Sequence, residues 1–136
     1  MKNYSEDVFV WVEETHSVGK EEFDNHHKVI FDLINEMQAH QNQEQFKLEF
    51  RDLITRSIDY FNFHLKKEQE WLAEVNYPDY EEHCELHKQY ILGISKFFLD
   101  FTQNKTPDIS KFIQFQKQWW TDHICNEDMK YKSYAQ

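Results

Sequence analysis

Residues 50–72, FRDLITRSIDYFNFHLKKEQEWL, put Phe50, Leu53, Ile54, Phe61, Trp71 and Leu72 on one arc of a helix. His64 and Glu68 fall in the middle of the same arc. Being four residues apart, they share a face about one turn from each other. A polar pair on a core-facing arc must be satisfied by something. This segment therefore predicts both a long amphipathic helix, about 46–75 with Phe46 at its start, and a buried polar site along it. Asn76-Tyr77-Pro78 ends the helix.

Three further segments have the same character. About 21–41 carries Phe23, Ile30, Phe31, Ile34 and Met37 at helical spacing, with a polar break from His40 to Gln45. About 80–101 aligns Tyr90, Ile91, Ile94, Phe97, Phe98 and Phe101, and Asn104-Lys105-Thr106-Pro107 closes it. About 108–131 begins at Asp108, a fair N-cap with Ile109 and Phe112 behind it. Ahead of them lies an irregular aromatic arm, 1–19, with Val8 to Trp11 apolar and a turn at Ser17-Val18-Gly19. Four amphipathic helices with short connections predict an all-α, up-down-up-down four-helix bundle, one domain spanning 1–136.

Composition agrees. The 136 residues are 40% hydrophobic and 17% aromatic, enough for one core, and only two Gly and two Pro interrupt them. A formal charge of −10 repels phosphate backbones and anionic membrane surfaces, so neither nucleic acid nor a membrane is expected as a partner. Met1 to Asp7 carry no signal-like apolar region, and no apolar run approaches ~18 residues, so the expected location is the cytosol. Cys84 and Cys125 stand singly inside helical patterns without CxxC spacing and read as packing residues.

The polar residues on the apolar arcs are mostly histidines. His83 and His87 are four apart on the third helix, in line with Tyr90, Ile91 and Ile94. His123 follows Trp119 by four on the last helix, and His27 precedes Ile30, Phe31 and Ile34 on the first. Any one alone reads as a satisfied core residue; together they read as metal ligands converging in a bundle core. Several His with two acids exceed what one zinc takes, and carboxylates can bridge two cations, so two metals are inferred. His83-Cys84-Glu85-Leu86-His87 is not a zinc-protease motif, because its acid stands two residues after the first His. The Glu-x-x-His pattern of ferritin-like di-iron bundles fits poorly with so few candidate acids.

Two choices stay open on periodicity. His26 and His27 both border the arc. On the last helix, Glu127 shares the face of His123, whereas Asp128, five residues on, stands about 140° away around a regular helix. His16 and His40 are expected at the surface.

From Trp11 to Tyr131 the chain resembles the hemerythrins, and more closely their bacterial single-domain form. Val18-Gly19, Asp24-Asn25-His26-His27-Lys28, His64 to Glu68 as HxxxE, Tyr77-Pro78, His83 to His87 as HxxxH, and Trp119 to Asp128 ending in HxxxxD carry the likeness. The resemblance implies that His83, His87 and His123 hold one iron, and His27 and His64 the other. Glu68 and Asp128 would bridge them beside an oxo or hydroxo group. It thus selects His27 over His26 and Asp128 over Glu127, the latter through a local widening of the helix or a seam position near its end. One position on the second iron would stay open, where dioxygen is expected to bind reversibly in a pocket of Ile30, Phe31, Trp119, Trp120 and Ile124.

Relatives carry Trp-Leu where this chain has Trp119-Trp120. Trp120 either faces the open site, as a steric plug or through its N–H, or packs between helices. The expected function is non-enzymatic oxygen binding by a monomer, for storage, transport or scavenging. The alternatives are a di-iron enzyme acting on peroxide, dioxygen or nitric oxide, and an oxygen-sensing module. No flavin motif, redox cysteine pair or output domain is visible to serve those alternatives. Spacing alone does not fix iron over zinc, manganese or cobalt.

Overall fold

The computed structural model describes residues 8–41, 47–103 and 109–135, with the backbone alone at 47–49, 101 and 102. Its helices are α1 (Glu13–His16), α2 (Glu21–His40), α3 (Lys47–Glu74), α4 (Tyr80–Thr102) and α5 (Ile109–Asp122). Beyond α5 the chain stays helical but changes gauge, first to a π turn, His123–Glu127, then to a 3-10 segment, Asp128–Ala135. Helix α2 packs on α3, α3 on α4, α4 on α5 and α5 back on α2. That closed ring of neighbours is the up-down-up-down bundle. Among the described residues, no helix is long and apolar enough to cross a membrane. The expected break at 42–45, Phe46, the Asn104 to Pro107 turn and the Asp108 cap lie outside the described residues.

The core is the set of apolar arcs turned inward, Phe23, Ile30, Ile34 and Met37 against Phe61, Leu65, Leu72, Tyr90, Ile94, Ile113 and Trp120. Gly93 permits a close approach, since a Cβ there would meet the Phe115 ring at 2.9 Å. Helix α3 ends in a Schellman motif. Asn76 takes the left-handed conformation at φ 54°, its N–H bonds Ala73 C=O at 3.2 Å, and Tyr77 N–H reaches back to Leu72 C=O at 3.0 Å. Leu72 and Tyr77 are both buried, which supplies the apolar contact that accompanies this cap. The turn thereby seats Tyr77 beside His83, with ring centroids 6.2 Å apart.

The arm is more ordered than its sequence suggests. Phe9 stacks on Phe31 at 3.7 Å, and Asn35 clamps the Phe9 backbone, accepting its N–H at 2.7 Å and donating to its C=O at 2.9 Å. Val12 to Ser17 then wind into α1. His16, expected at the surface, is buried: it accepts the Val12 N–H on Nδ1 at 2.8 Å and meets Phe31 edge-on. The arm folding back on α2 is what covers it. His40 is half-buried. Gly19, at φ +78°, turns the chain into α2. Asp24 anchors that turn by accepting the Ser17 hydroxyl at 2.7 Å and the Val18 N–H at 2.8 Å.

Candidate metal centre

Helices α2, α3 and α4, and the π and 3-10 segments that follow α5, send histidine or carboxylate side chains to one buried point. Glu68, His83, His87 and His123 offer four ligand atoms all within 4.8 Å of one another; His27, His64, Glu68 and Asp128 do the same. Glu68 belongs to both groups. Its Oε1 lies 2.7 Å from His83 Nε2 and 3.0 Å from His87 Nε2, while its Oε2 lies 3.4 Å from His64 Nε2. Asp128 spans the groups as well. Its Oδ1 is 3.0 Å from His123 Nε2 and 3.1 Å from His83 Nε2, and its Oδ2 is 3.3 Å from His27 Nε2. The i, i+4 spacing on α3 and α4 brings His64 to Glu68 and His83 to His87 with no distortion of either helix.

Asp128 arrives by a different route. A π turn raises the hydrogen-bond span from four residues to five, so residue i+5 comes to lie over residue i. The Asp128 N–H bonds the C=O of His123, and also that of Ile124. Asp128 therefore shares the face of His123 and is fully buried. Glu127 is turned outward, where Lys130 Nζ approaches its Oε2 at 3.3 Å.

Five imidazoles and two carboxylates this close, out of water, demand positive charge. Burial raises the Glu68 and Asp128 carboxyls, yet the histidines around them hold both well below the ordinary carboxylate range. Burial would lower His83 and His123; Asp128 and Glu68 override it, pushing His83 up to about 10 and His123 to about 9. His64, where burial prevails, falls to about 4. The donor set also fits a cation by what it leaves unmet. His27 Nε2 faces His64 Nε2 at 3.1 Å, and His87 Nε2 faces His123 Nε2 at 3.1 Å, nitrogen toward nitrogen. Both Asp128 oxygens and His27 Nδ1 are buried with no hydrogen-bond partner. Two bridged divalent cations would answer every one of these converging atoms except His27 Nδ1, which faces away from them.

Three supporting contacts go beyond the ligand set read from the sequence. Tyr131, fully buried in the 3-10 segment, donates its hydroxyl to Glu68 Oε2 at 2.8 Å. Gln69 Oε1 lies 2.8 Å from His87 Nδ1, so that ring donates outward and keeps Nε2 free inward. His26 Nδ1 stands 2.9 Å from His64 Nδ1. Adjacency of Gln69 to Glu68, and of His26 to His27, is the signal that could have marked those two.

The five pocket residues are spread across both groups. Trp120, fully buried, sits over the two-histidine side, 5.9 Å from His64 and 6.3 Å from His27 between centroids. Its N–H donates to Tyr90 OH at 3.1 Å, and Tyr90 donates in turn to Gln116 Oε1 at 2.5 Å. The indole N–H is thus committed away from the metal site, and size is what Trp120 brings to it. Trp119 instead stacks flat on His123, at 4.3 Å and 15°, on the three-histidine side. Ile30 and Ile124 are fully buried, one turn on from His27 and next to His123, whereas Phe31 lies under the arm.

Residues 18–135 match the family model described as the Hemerythrin HHE cation binding domain. A Hemerythrin-like protein of Naegleria gruberi is 35% identical over 85% of this chain and 84% of its own length. The Bacteriohemerythrin of Clostridium acetobutylicum is 27% identical over 91% and 98% respectively. A wild-type hemerythrin crystal structure superposes with a TM-score of 0.87 at 20% identity, covering 93% of this chain and 97% of that one.

Proposed function

The chain belongs to the hemerythrin family, and on that premise we propose that it binds dioxygen reversibly at a non-haem di-iron centre, as a carrier or store rather than an enzyme. The observation that carries this reading is the pair of ligand groups joined through Glu68 and Asp128. His83, His87 and His123 would hold one iron, and His27 and His64 the other. Glu68 and Asp128, each within reach of both histidine groups, would be shared between the two and offset their charge. Iron(II), when bound, supplies the electrons with which dioxygen is taken up reversibly.

With three nitrogens on one side, two on the other and the bridges shared, the two-histidine side is one donor short and is the side open to a ligand. Trp120, buried over His64 and His27 with Phe61 packed against it, and Ile30, buried one turn on from His27, give that side an apolar surround, which disfavours water beside a bound gas. Tyr131 holds Glu68, and Gln69 holds His87, so the ligands keep their orientation whether or not gas is present. We further infer a cytosolic monomer; the free thiols of Cys84 and Cys125, both partly exposed, suit a reducing compartment.

Metal analysis of the purified protein is expected to give two irons per chain, with a visible spectrum that changes on removal of oxygen and returns on its readmission. One zinc per chain with a spectrum indifferent to oxygen would overturn the reading.

A further inference from the structure

His64 has two ring nitrogens and two different neighbours. Its Nε2 points into the ligand group, 3.1 Å from His27 Nε2 and 3.4 Å from Glu68 Oε2, while its Nδ1 lies 2.9 Å from Nδ1 of His26. A nitrogen that offers its lone pair to a cation cannot carry the proton, so in a loaded site the His64 proton sits on Nδ1. It then points at His26, whose Nδ1 must accept and whose own proton must sit on Nε2. We propose that His26 is a positioning residue of the metal centre: it accepts the Nδ1–H of His64 and so fixes that ring with Nε2 turned to the cation.

The surroundings of His26 suit this task. It is itself held by rings, edge-on to Tyr60 at 6.1 Å and tilted on Phe63 at 5.3 Å and Phe23 at 5.8 Å. His26 and His27 are consecutive on α2, about 100° apart around the helix. One dipeptide therefore serves a single partner ring twice. His27 meets the inner face of His64, and His26 holds its back. On the three-histidine side the equivalent service to His87 comes from the amide oxygen of Gln69. An imidazole nitrogen is the stronger base of the two acceptors, so His26 draws harder on the His64 proton and makes Nε2 the better donor.

The inference uses the di-iron reading only in taking His64 as a ligand, and two variants with two readouts separate them. In the zinc-loaded native chain, long-range nitrogen–proton NMR is expected to show His64 protonated at Nδ1 with slow solvent exchange. His26→Leu keeps bulk but cannot accept, and should lose that protected proton and release one of two ferrous ions to a chelator about tenfold faster under anaerobic conditions. His26→Gln, whose amide oxygen can accept, should stay within about threefold of native and keep the proton signal. If His26→Leu matches native in both readouts, or if His26→Gln is as impaired as His26→Leu, the proposal is overturned. If the native chain takes up zinc with a protected His64 Nδ1–H but fails to hold two irons, the di-iron reading falls and the role of His26 stands.

Discussion

The two halves of the metal centre are built to different tolerances. On the three-histidine side each ring has a brace: Trp119 lies flat on His123, Gln69 Oε1 accepts the His87 Nδ1–H, and Tyr77 and Tyr131 stand against His83. On the two-histidine side the braces thin out. His27 Nδ1 has no hydrogen-bond partner, His64 Nδ1 leans on one imidazole, and Trp120 presents carbon. A cation on the first side would meet three braced imidazoles, whereas one on the second would meet two, with the Trp120 indole beside them. The difference teaches that openness to a small ligand here comes from leaving donors out.

Removing what the halves share breaks the comparison most completely. Glu68→Ala takes a bridging oxygen from each side and leaves the Tyr131 hydroxyl without its acceptor. Iron retained after desalting is expected to fall from two per chain to fewer than one, with a stability loss of about 3 kcal/mol from breaking a buried charge cluster. Retention of two irons would show that the halves are independent.

A smaller and more diagnostic effect separates two adjacent acids. Asp128→Ala is expected to lose iron, because both of its oxygens serve the centre. Glu127→Ala removes only a surface partner of Lys130 and should leave metal content unchanged, with stability within about 0.5 kcal/mol of native. Iron content and melting curves of the two variants check this; the reverse pattern would mean that the π turn is not kept in solution.

This pair also marks where sequence reading succeeds and where it stops. The arcs through Phe61, Trp71, Ile94 and Phe112 are legible because α2 to α5 run at regular pitch, and the same regularity makes His64/Glu68 and His83/His87 legible as pairs. Periodicity misdirects at Asp128 because the helix there holds an extra residue in the turn, and nothing in His123 to Glu127 announces the change of gauge by its residue types. Motif spacing does register it, since HxxxxD is the spacing a π turn aligns. Tyr131 was beyond reach for a related reason, lying in a 3-10 segment where no 3.6-residue period applies. His16 was misplaced at the surface because its burial depends on Phe9 and Trp11 folding back across Phe31, a tertiary event with no local signal. His26 was visible as the alternative to His27, but its contact with His64 was not, because that partner lies 38 residues away on another helix.

The finest test contrasts the two tryptophans, one for each half. Trp120→Leu removes an indole that sits over His27 and His64 and whose N–H is spent on Tyr90. The loss is therefore one of bulk beside the open side, and Tyr90 keeps its bond to Gln116. Azide should enter the oxidised site more than about twofold faster, a barrier change of at least ~0.4 kcal/mol. The folded state should lose about 2 kcal/mol through the cavity left behind. Trp119→Leu takes the stacked ring off His123, on the side with no vacancy, and azide entry should change by less than about twofold while the stability of the metal-loaded form falls by roughly 1 kcal/mol. Stopped-flow azide binding on both variants reads the contrast directly. Equal acceleration in the two would mean that the small ligand reaches the centre from the braced side as readily as from the open one.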